Sequence, residues 1–142
     1  MPPKMFIVAG PPGSGKSTAF PVAAFGVDYF NADDQAAALN KGSYSDIPCD
    51  IRARVSTLFE RFVLAHIEGR SSCAFQTTLR SAVTFDQAAL ARRAGFVIEM
   101  RYLGLPNFEM HLERVKMRAD RGGHSAPEQK LRGIYESSLA NL

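Results

Sequence analysis

The sequence predicts an α/β fold in which a parallel β-sheet is flanked by helices in three layers. Apolar runs of strand length alternate with longer segments of helical period, the pattern that βαβ units produce. The run over residues 96–103 is apolar at most positions, as a strand covered on both faces requires. A glycine-rich loop follows the first apolar run directly and leads into a helical pattern.

The pattern places the elements in order along the chain. Strands are predicted over 5–9, 27–30, 73–77 and 96–103. The clearest helix runs from about 50 to 68, because apolar side chains recur every three or four residues while Arg52 and Glu60 are expected to point away from that face. Further helices are predicted over 81–94, ended by Gly95, around 108–115, and after Pro127.

Length and composition indicate one globular domain over residues 1–142. A chain of this length buries roughly two thirds of its unfolded surface, and 46% hydrophobic with 22% charged residues excludes a disordered chain. Seventeen basic against fourteen acidic residues leave a net charge of +3. This excess suits phosphorylated ligands but is too small for a nucleic-acid-binding stripe, so a nucleic-acid partner is not expected.

The sequence contains no sign of a membrane or metal-cluster protein. It has no run of 18 apolar residues, and its first apolar run is too short for a signal core. Cys49 and Cys73 stand far apart without other ligands at metal-binding spacing. We therefore expect a cytoplasmic protein in which both cysteines are small buried groups.

A complete phosphate-binding motif of the form G-x-x-x-x-G-K-[ST] follows the first strand. Its backbone amides would point at phosphate oxygens, Lys16 would bridge the β- and γ-phosphates, and the Ser17 hydroxyl would bind Mg²⁺. A glycine-rich turn with an exposed lysine is the alternative, which the complete motif in this context disfavours. The predicted nucleotide-binding residues are Gly10, Pro11, Pro12, Gly13, Ser14, Gly15, Lys16, Ser17 and Thr18.

Two further strand ends carry polar residues on the expected ligand side of the sheet. Asp33 follows the second strand and is a candidate base for an acceptor hydroxyl, although Asp33 or Asp34 could equally cap the next helix. Candidate acceptor contacts at the third strand are Gln76, Thr77, Thr78 and Arg80. For Thr77 and Arg80, ordinary strand filling and a solvated charge are the simpler interpretations.

Arginines near the C-terminus are candidates for stabilising the charge of a transferring phosphoryl group. Arg118, Arg121 and Arg132 lie in or around the last two predicted helices, and Gly122 with Gly123 would supply the freedom of a mobile lid. A charged helix end that complements the helix dipole is the alternative. One of these arginines is expected to be catalytic, and the pattern does not say which.

The motifs in this order resemble those of the zeta-toxin-like branch of P-loop kinases. The diagnostic pieces are the Asn31-Ala32-Asp33 triplet, the Phe75 to Leu79 segment and the Gly122-Gly123-His124 run. The resemblance implies ATP or GTP as donor and a hydroxyl-bearing small molecule, such as a nucleotide sugar, as acceptor. It also places Asp33 on the catalytic carboxylate, Lys16 on the phosphate lysine, and Arg121 and Arg132 near the lid arginines.

Two departures from the family pattern bear on activity. Gln76 stands where the family usually has a glutamate, so the charge that could hold Mg²⁺ through water is lost. Relatives also continue into a further strand, whereas this sequence ends at Leu142, so a C-terminal edge strand is expected to be missing and an open edge to favour dimerisation. No antitoxin partner can be inferred from one chain.

Together these observations predict a Mg²⁺-dependent kinase of the three-layer P-loop NTPase fold that phosphorylates a small-molecule hydroxyl. A nucleotide-binding regulatory module with weak catalysis is the first alternative, motivated by Gln76 and the early end. A polynucleotide end kinase is the second, since such enzymes share the loop and the base. The acceptor and the choice between ATP and GTP stay open.

Overall fold

The structure is a computed structural model that describes residues 1–12, 14–79, 81–104, 108–120 and 128–140. The strands are β1 (Lys4–Ala9), β2 (Asp28–Phe30), β3 (Cys73–Thr77) and β4 (Val97–Tyr102). The helices are α1 (Lys16–Ala19), α2 (Ala32–Leu39), α3 (Cys49–Glu68), α4 (Val83–Arg93), α5 (Phe108–Asp120) and α6 (Glu128–Ala140). A 3₁₀ turn (Val22–Phe25) lies between α1 and β2.

The described strands form one parallel sheet in the order β2-β3-β1-β4. Ala9 at the end of β1 pairs with Thr77 of β3 on one side and with Tyr102 of β4 on the other. The loops that leave β1 and β3 therefore start side by side at the carboxyl edge of the sheet, where ligands of open α/β folds bind. The predicted α/β class, with a parallel sheet flanked by helices, is confirmed.

One face of the sheet packs against the largest part of the core. The strands contribute side chains such as Met5, Ile7 and Phe75, all fully buried, and α3 contributes Val55, Val63 and Ile67. The aromatic rings of this face meet edge to face, with the centroids of Phe59 and Phe75 5.0 Å apart. This apolar contact holds α3 over the sheet and fixes the face of the helix that borders the site.

The opposite face of the sheet is covered by the 3₁₀ turn. Val8 and Ala74 pack there against Val22, because successive strand residues point to opposite faces. α1 contains only four residues, since Pro21 follows one residue after it and cannot continue the helix. The helix predicted to start after the phosphate loop is thus a single turn.

The structure corrects one sequence expectation about single residues and confirms others. Cys73 is buried as expected, but Cys49 is exposed at the first position of α3. Gly95 ends α4 with a φ of 93°, as predicted for a left-handed residue after a helix. Within the described ranges, every helix lacks either the length or the apolar composition of a bilayer-crossing segment.

Candidate functional site

The phosphate loop is anchored to the strands on both of its sides. The amide of Gly10 donates a hydrogen bond to the carbonyl oxygen of Thr77 at 3.2 Å, and Leu103 N donates to Ala9 O at 2.8 Å. A β-carbon at position 10 would lie 2.1 Å from the carbonyl oxygen of Leu103. Only glycine fits at this contact, which explains the first glycine of the motif.

The side chains of Lys16 and Ser14 are both buried at the phosphate loop. Lys16 is buried, and its Nζ lies 3.4 Å from the carbonyl oxygen of Pro11, to which it donates. Ser14 is 2% exposed, and its Oγ has no hydrogen-bond partner within the described part of the chain. Gly15 precedes α1 with a φ of 89°, a backbone conformation that glycine tolerates best. A buried ammonium group beside an orphaned hydroxyl is an arrangement suited to an anion.

Ser17 and Gln76 are joined directly across the ends of β1 and β3. The Ser17 hydroxyl donates a hydrogen bond to Gln76 Oε1 over 3.1 Å. The strand register is consistent with the contact, because Val8 pairs with Gln76 close to the start of the loop. The predicted metal-binding hydroxyl therefore faces a neutral amide rather than a carboxylate.

Asp33 lies in the first turn of α2 and borders the cleft. The helix is capped by Asn31, whose side-chain oxygen accepts from the amides of Asp33 at 3.0 Å and Asp34 at 3.2 Å. The capping alternative for the two aspartates is therefore wrong. Asp34 instead accepts a hydrogen bond from the Tyr44 hydroxyl at 2.7 Å, and this bond raises the pKa of Tyr44.

A cavity of about 330 Å³ brings the predicted residues of three segments together. It is bordered by Lys16 of the phosphate loop and by Asp33 of α2. The β3 end contributes Gln76, Thr77 and Thr78. The predicted grouping of these side chains at the carboxyl edge of the sheet is thus observed in the structure.

The Thr77 side chain has a structural task in addition to its place at the cavity. Its Oγ1 accepts a hydrogen bond from the Leu79 amide at 3.1 Å. Leu79 is fully buried and has a φ of 58°, so this bond supports a backbone turn that a bulky residue rarely adopts. Thr78 also borders the cavity. Arg80, the remaining candidate of this segment, lies outside the described residues, as does Gly13 of the phosphate loop.

The sequence pattern missed one wall of the cavity, which α3 provides. Arg52, Ser56 and Glu60 border the cavity together with the apolar side chains of Val55 and Phe59. Arg52 and Glu60 were expected only to point away from the apolar face of the helix, and neither was assigned to the site. The signal was present as a polar spacing of four residues, which places side chains on one side of a helix. It was hidden because the same helix carries its apolar core stripe only one position away.

Comparison with known proteins bears on the fold. No protein-family model matches the sequence. An uncharacterized protein of Haemophilus influenzae (strain Rd) is 26% identical over 136 residues, which are 93% of this chain and 92% of that protein.

Solved structures are more informative. A chain of the Pnkp1/Rnl/Hen1 RNA repair complex matches with a TM-score of 0.72 at 22% identity over 98% of this chain, which spans 45% of that chain's length. A protein of Chloroflexus aurantiacus assigned provisionally as a kinase matches with a TM-score of 0.71 at 17% identity, covering 95% of this chain and 79% of the other. A gluconokinase of Sinorhizobium meliloti has a TM-score of 0.53 at 19% identity, covering 96% and 74%. The chain has the fold of P-loop kinases. The zeta-toxin-like branch stays a prediction.

The phosphate loop of this fold suits the phosphate tail of a nucleoside triphosphate. The close approach at Gly10 leaves no space for a larger side chain. Ser14 has a buried hydroxyl without a partner in the described residues, and Lys16 turns its ammonium group into the loop, so both are donors that an anion could accept from. Because α1 is a single turn, few peptide dipoles align behind the loop, and the loop amides with Lys16 would dominate the attraction.

The divalent cation that P-loop kinases use would find mainly neutral oxygen ligands here. Ser17 and Gln76 supply a hydroxyl and an amide oxygen, both of which Mg²⁺ accepts. Within the described ranges, no group of three His, Cys, Asp or Glu side chains could hold a metal. Phosphate oxygens of the nucleotide would therefore supply most of the negatively charged ligands of the cation.

The predicted lid arginines are only partly placed by the structure. Arg118 belongs to α5, but its side chain falls outside the described part, and Arg121 lies outside it entirely. Arg132 is exposed on α6, and the α6 residue found at the cavity is Ile134. α5 and α6 pack together through Val115, Leu112 and Tyr135. The role of each arginine stays a prediction.

Proposed function

We propose that this chain is a phosphotransferase that moves the γ-phosphoryl group of ATP or GTP to a hydroxyl group of a small molecule. The observation that carries the proposal is the shared cavity, because it joins Lys16 of the P-loop to Asp33 of α2. A phosphate-binding ammonium group and a carboxylate facing one small cavity are the parts that phosphoryl transfer to an alcohol needs.

The chain's own side chains have distinct tasks in this reaction. Asp33 would accept the proton of the acceptor hydroxyl while that oxygen forms a bond to the γ-phosphorus. The bond from the γ-phosphorus to the β-bridging oxygen breaks, the nucleoside diphosphate leaves, and the proton passes from Asp33 to water. Lys16 would hold the phosphate oxygens, and Thr77, Thr78 and Arg80 would contact the acceptor.

Mg²⁺, bound by Ser17 with Gln76 beside it, would neutralise phosphate charge during transfer. The lid role of Arg118, Arg121 and Arg132 is part of the same proposal and rests on the family resemblance. So do the nucleotide-sugar acceptor and the cytoplasmic location. The alternative of a regulatory nucleotide-binding module rests on the neutral Gln76.

Acceptor-dependent nucleotide consumption by the wild type and by Asp33→Asn tests the proposal. Loss of the base should lower the acceptor-dependent rate by about 10²-fold or more, while nucleotide affinity stays within a factor of about three. Asp34→Asn is the matched control, because Asp34 is its neighbour on α2 but is occupied by the Tyr44 hydroxyl. Retention of most of the rate by Asp33→Asn refutes the base assignment.

Nucleotide binding without any acceptor-dependent turnover would favour the regulatory module. A 5′-hydroxyl RNA end is a second candidate acceptor, favoured by the likeness to a chain of an RNA repair complex. Salt-sensitive binding and phosphorylation of an RNA oligonucleotide would support this acceptor. A cavity of about 330 Å³ and a net charge of only +3 favour the small molecule instead.

A further inference from the structure

The α3 wall of the cavity carries a cation that the proposed phosphoryl transfer does not use. Arg52 is half-buried and borders the cavity. Its guanidinium group makes no hydrogen bond or ion pair with any residue in the described ranges. An arginine that faces a cavity without a protein partner has its guanidinium donors available for an anionic ligand group.

The carboxylates that border the cavity in the described ranges form no ion pair with Arg52. Glu60 also borders the cavity, but it lies two turns further along α3, about 12 Å along the helix axis. Asp33 reaches the same cavity from α2 without forming an ion pair with Arg52. Arg52 is therefore a cation on the α3 wall that is distinct from Lys16 of the phosphate loop and is not paired with Asp33 or Glu60.

A hydroxyl group on a second wall of the cavity could bind the same ligand group. Thr84 is 4% exposed, borders the cavity from the first turn of α4, and forms no side-chain hydrogen bond within the described part of the chain. α4 begins without a side-chain cap, and the first amides of a helix have no partner within the helix. The Thr84 hydroxyl and these amides can therefore donate hydrogen bonds to an acceptor atom of a ligand.

We propose that the acceptor is a compact anionic polyol whose carboxylate or phosphate group binds Arg52 and Thr84, leaving a hydroxyl group for Asp33. This inference rests on the proposed function for the identity of the reaction, but the anion site itself does not. The cavity of about 330 Å³ lies at the small end of ligand pockets. The apolar side chains of Val55, Phe59 and Val83 would cover the carbon skeleton.

Calorimetric binding without turnover tests the anion site. The probes are two anions, D-gluconate and glycerol 3-phosphate, with their neutral counterparts D-glucitol and glycerol. We expect the wild type to bind at least one anion and Arg52→Gln to weaken it about ten- to hundredfold, the range for a hydrogen bond to a charged group. Arg52→Lys should keep part of the affinity, because it retains the charge but loses the planar fork.

Arg54→Gln is the matched control, since Arg54 is exposed on the same helix and does not border the cavity. It should bind the anions as the wild type does. Tighter binding of D-gluconate would indicate a carboxylate ligand, and tighter binding of glycerol 3-phosphate would indicate a phosphate ligand. A wild type that binds neither anion, or an Arg52→Gln variant that binds both unchanged, overturns the inference.

Steady-state kinetics separate failure of the inference from failure of the proposed function. The inference predicts that Arg52→Gln raises KM for the anionic acceptor about ten- to hundredfold with a smaller change in kcat. Arg52-dependent anion binding without phosphorylation would refute the kinase but keep the site. Equal use of neutral polyols, or a preference for a 5′-hydroxyl RNA oligonucleotide over both anions, would refute the inference and keep phosphotransfer.

Discussion

The Ser17 hydroxyl donates a hydrogen bond to Gln76 Oε1 at 3.1 Å, so the residue that would bind a catalytic cation is paired with a neutral amide. A carboxylate at this position would attract a free divalent cation, whereas an amide only offers a dipole. Cation binding by this chain should therefore depend strongly on bound nucleotide.

We predict that Gln76→Glu strengthens divalent-cation binding in the absence of nucleotide. The added charge should raise Mn²⁺ affinity roughly tenfold, as measured by electron paramagnetic resonance. Gln35→Glu is the control, because it adds the same charge on an exposed position of α2. Equal Mn²⁺ affinity in both variants would contradict a cation site at Ser17.

Gly10→Ala should both destabilise the protein and impair nucleotide binding. The new β-carbon would overlap the carbonyl oxygen of Leu103, so the loop or β4 must shift. Overpacking of this kind lowers the free energy of unfolding by about 1–3 kcal/mol. Chemical denaturation and nucleotide titration measure the two effects.

Gly26→Ala is the control that separates the effect of the close approach between Gly10 and Leu103 from the effect of backbone strain alone. Gly26 has a φ of 73°, but nothing lies within 4 Å of its β-carbon position. We expect a loss of about 1–2 kcal/mol from the left-handed backbone, with unchanged nucleotide affinity. If Gly10→Ala binds nucleotide as well as Gly26→Ala does, the close approach to Leu103 is not needed for the loop.

Asn31→Ala should weaken the start of α2 and disturb the candidate base. The variant loses the acceptor for the Asp33 and Asp34 amides, which costs about 1 kcal/mol for a helix cap. Asn31→Asp keeps an acceptor oxygen and should restore stability in thermal unfolding. Equal stability of the alanine and aspartate variants would show that the cap contributes nothing.

The two cysteines should differ sharply in reactivity. Cys49 is exposed, whereas burial and then the Asp28 charge raise the pKa of Cys73 from 9.0 to about 11. We expect one thiol to react quickly with a disulfide reagent in the native protein and the second only on unfolding. Fast reaction of both thiols would contradict the buried position of Cys73.

The raised pKa of Cys73 also sets a dependence of stability on pH. A thiol that holds its proton more tightly when folded stabilises the native state below pH 9, and this contribution is lost as the pH rises towards about 11. The fall in unfolding free energy over this window should be shallower in Cys73→Ala. The raised pKa of Tyr44 acts in the same direction and is unchanged in that variant.

The sequence predicted the fold well where one physical signal acted alone. The four strands were placed with bounds within one residue of those observed, because buried parallel strands need short apolar runs. The length of α3 followed from its periodic apolar stripe. The P-loop, Asp33 and the β3 end were correctly expected at one edge, since the carboxyl ends of parallel strands share it.

Other features depended on competition between neighbouring residues or on distant contacts. Asn31, rather than Asp33 or Asp34, caps α2. Pro21 limits α1 to one turn. His66 pairs with Asp28 at 2.9 Å across 38 positions of sequence, which no local pattern reveals. The place of Arg52 at the cavity depends on how α3 rotates over the sheet, and only packing determines that.

Leu103, directly after the outer strand β4 of the described sheet, contacts the phosphate loop. Its amide holds Ala9, and its carbonyl oxygen fills the space beside Gly10. In the described sheet β4 pairs only with β1. A displacement of β4 would therefore be transmitted through Leu103 to the start of the phosphate loop. If the loop binds phosphate as proposed, substitutions at this edge of the sheet should change phosphate affinity without contacting the ligand.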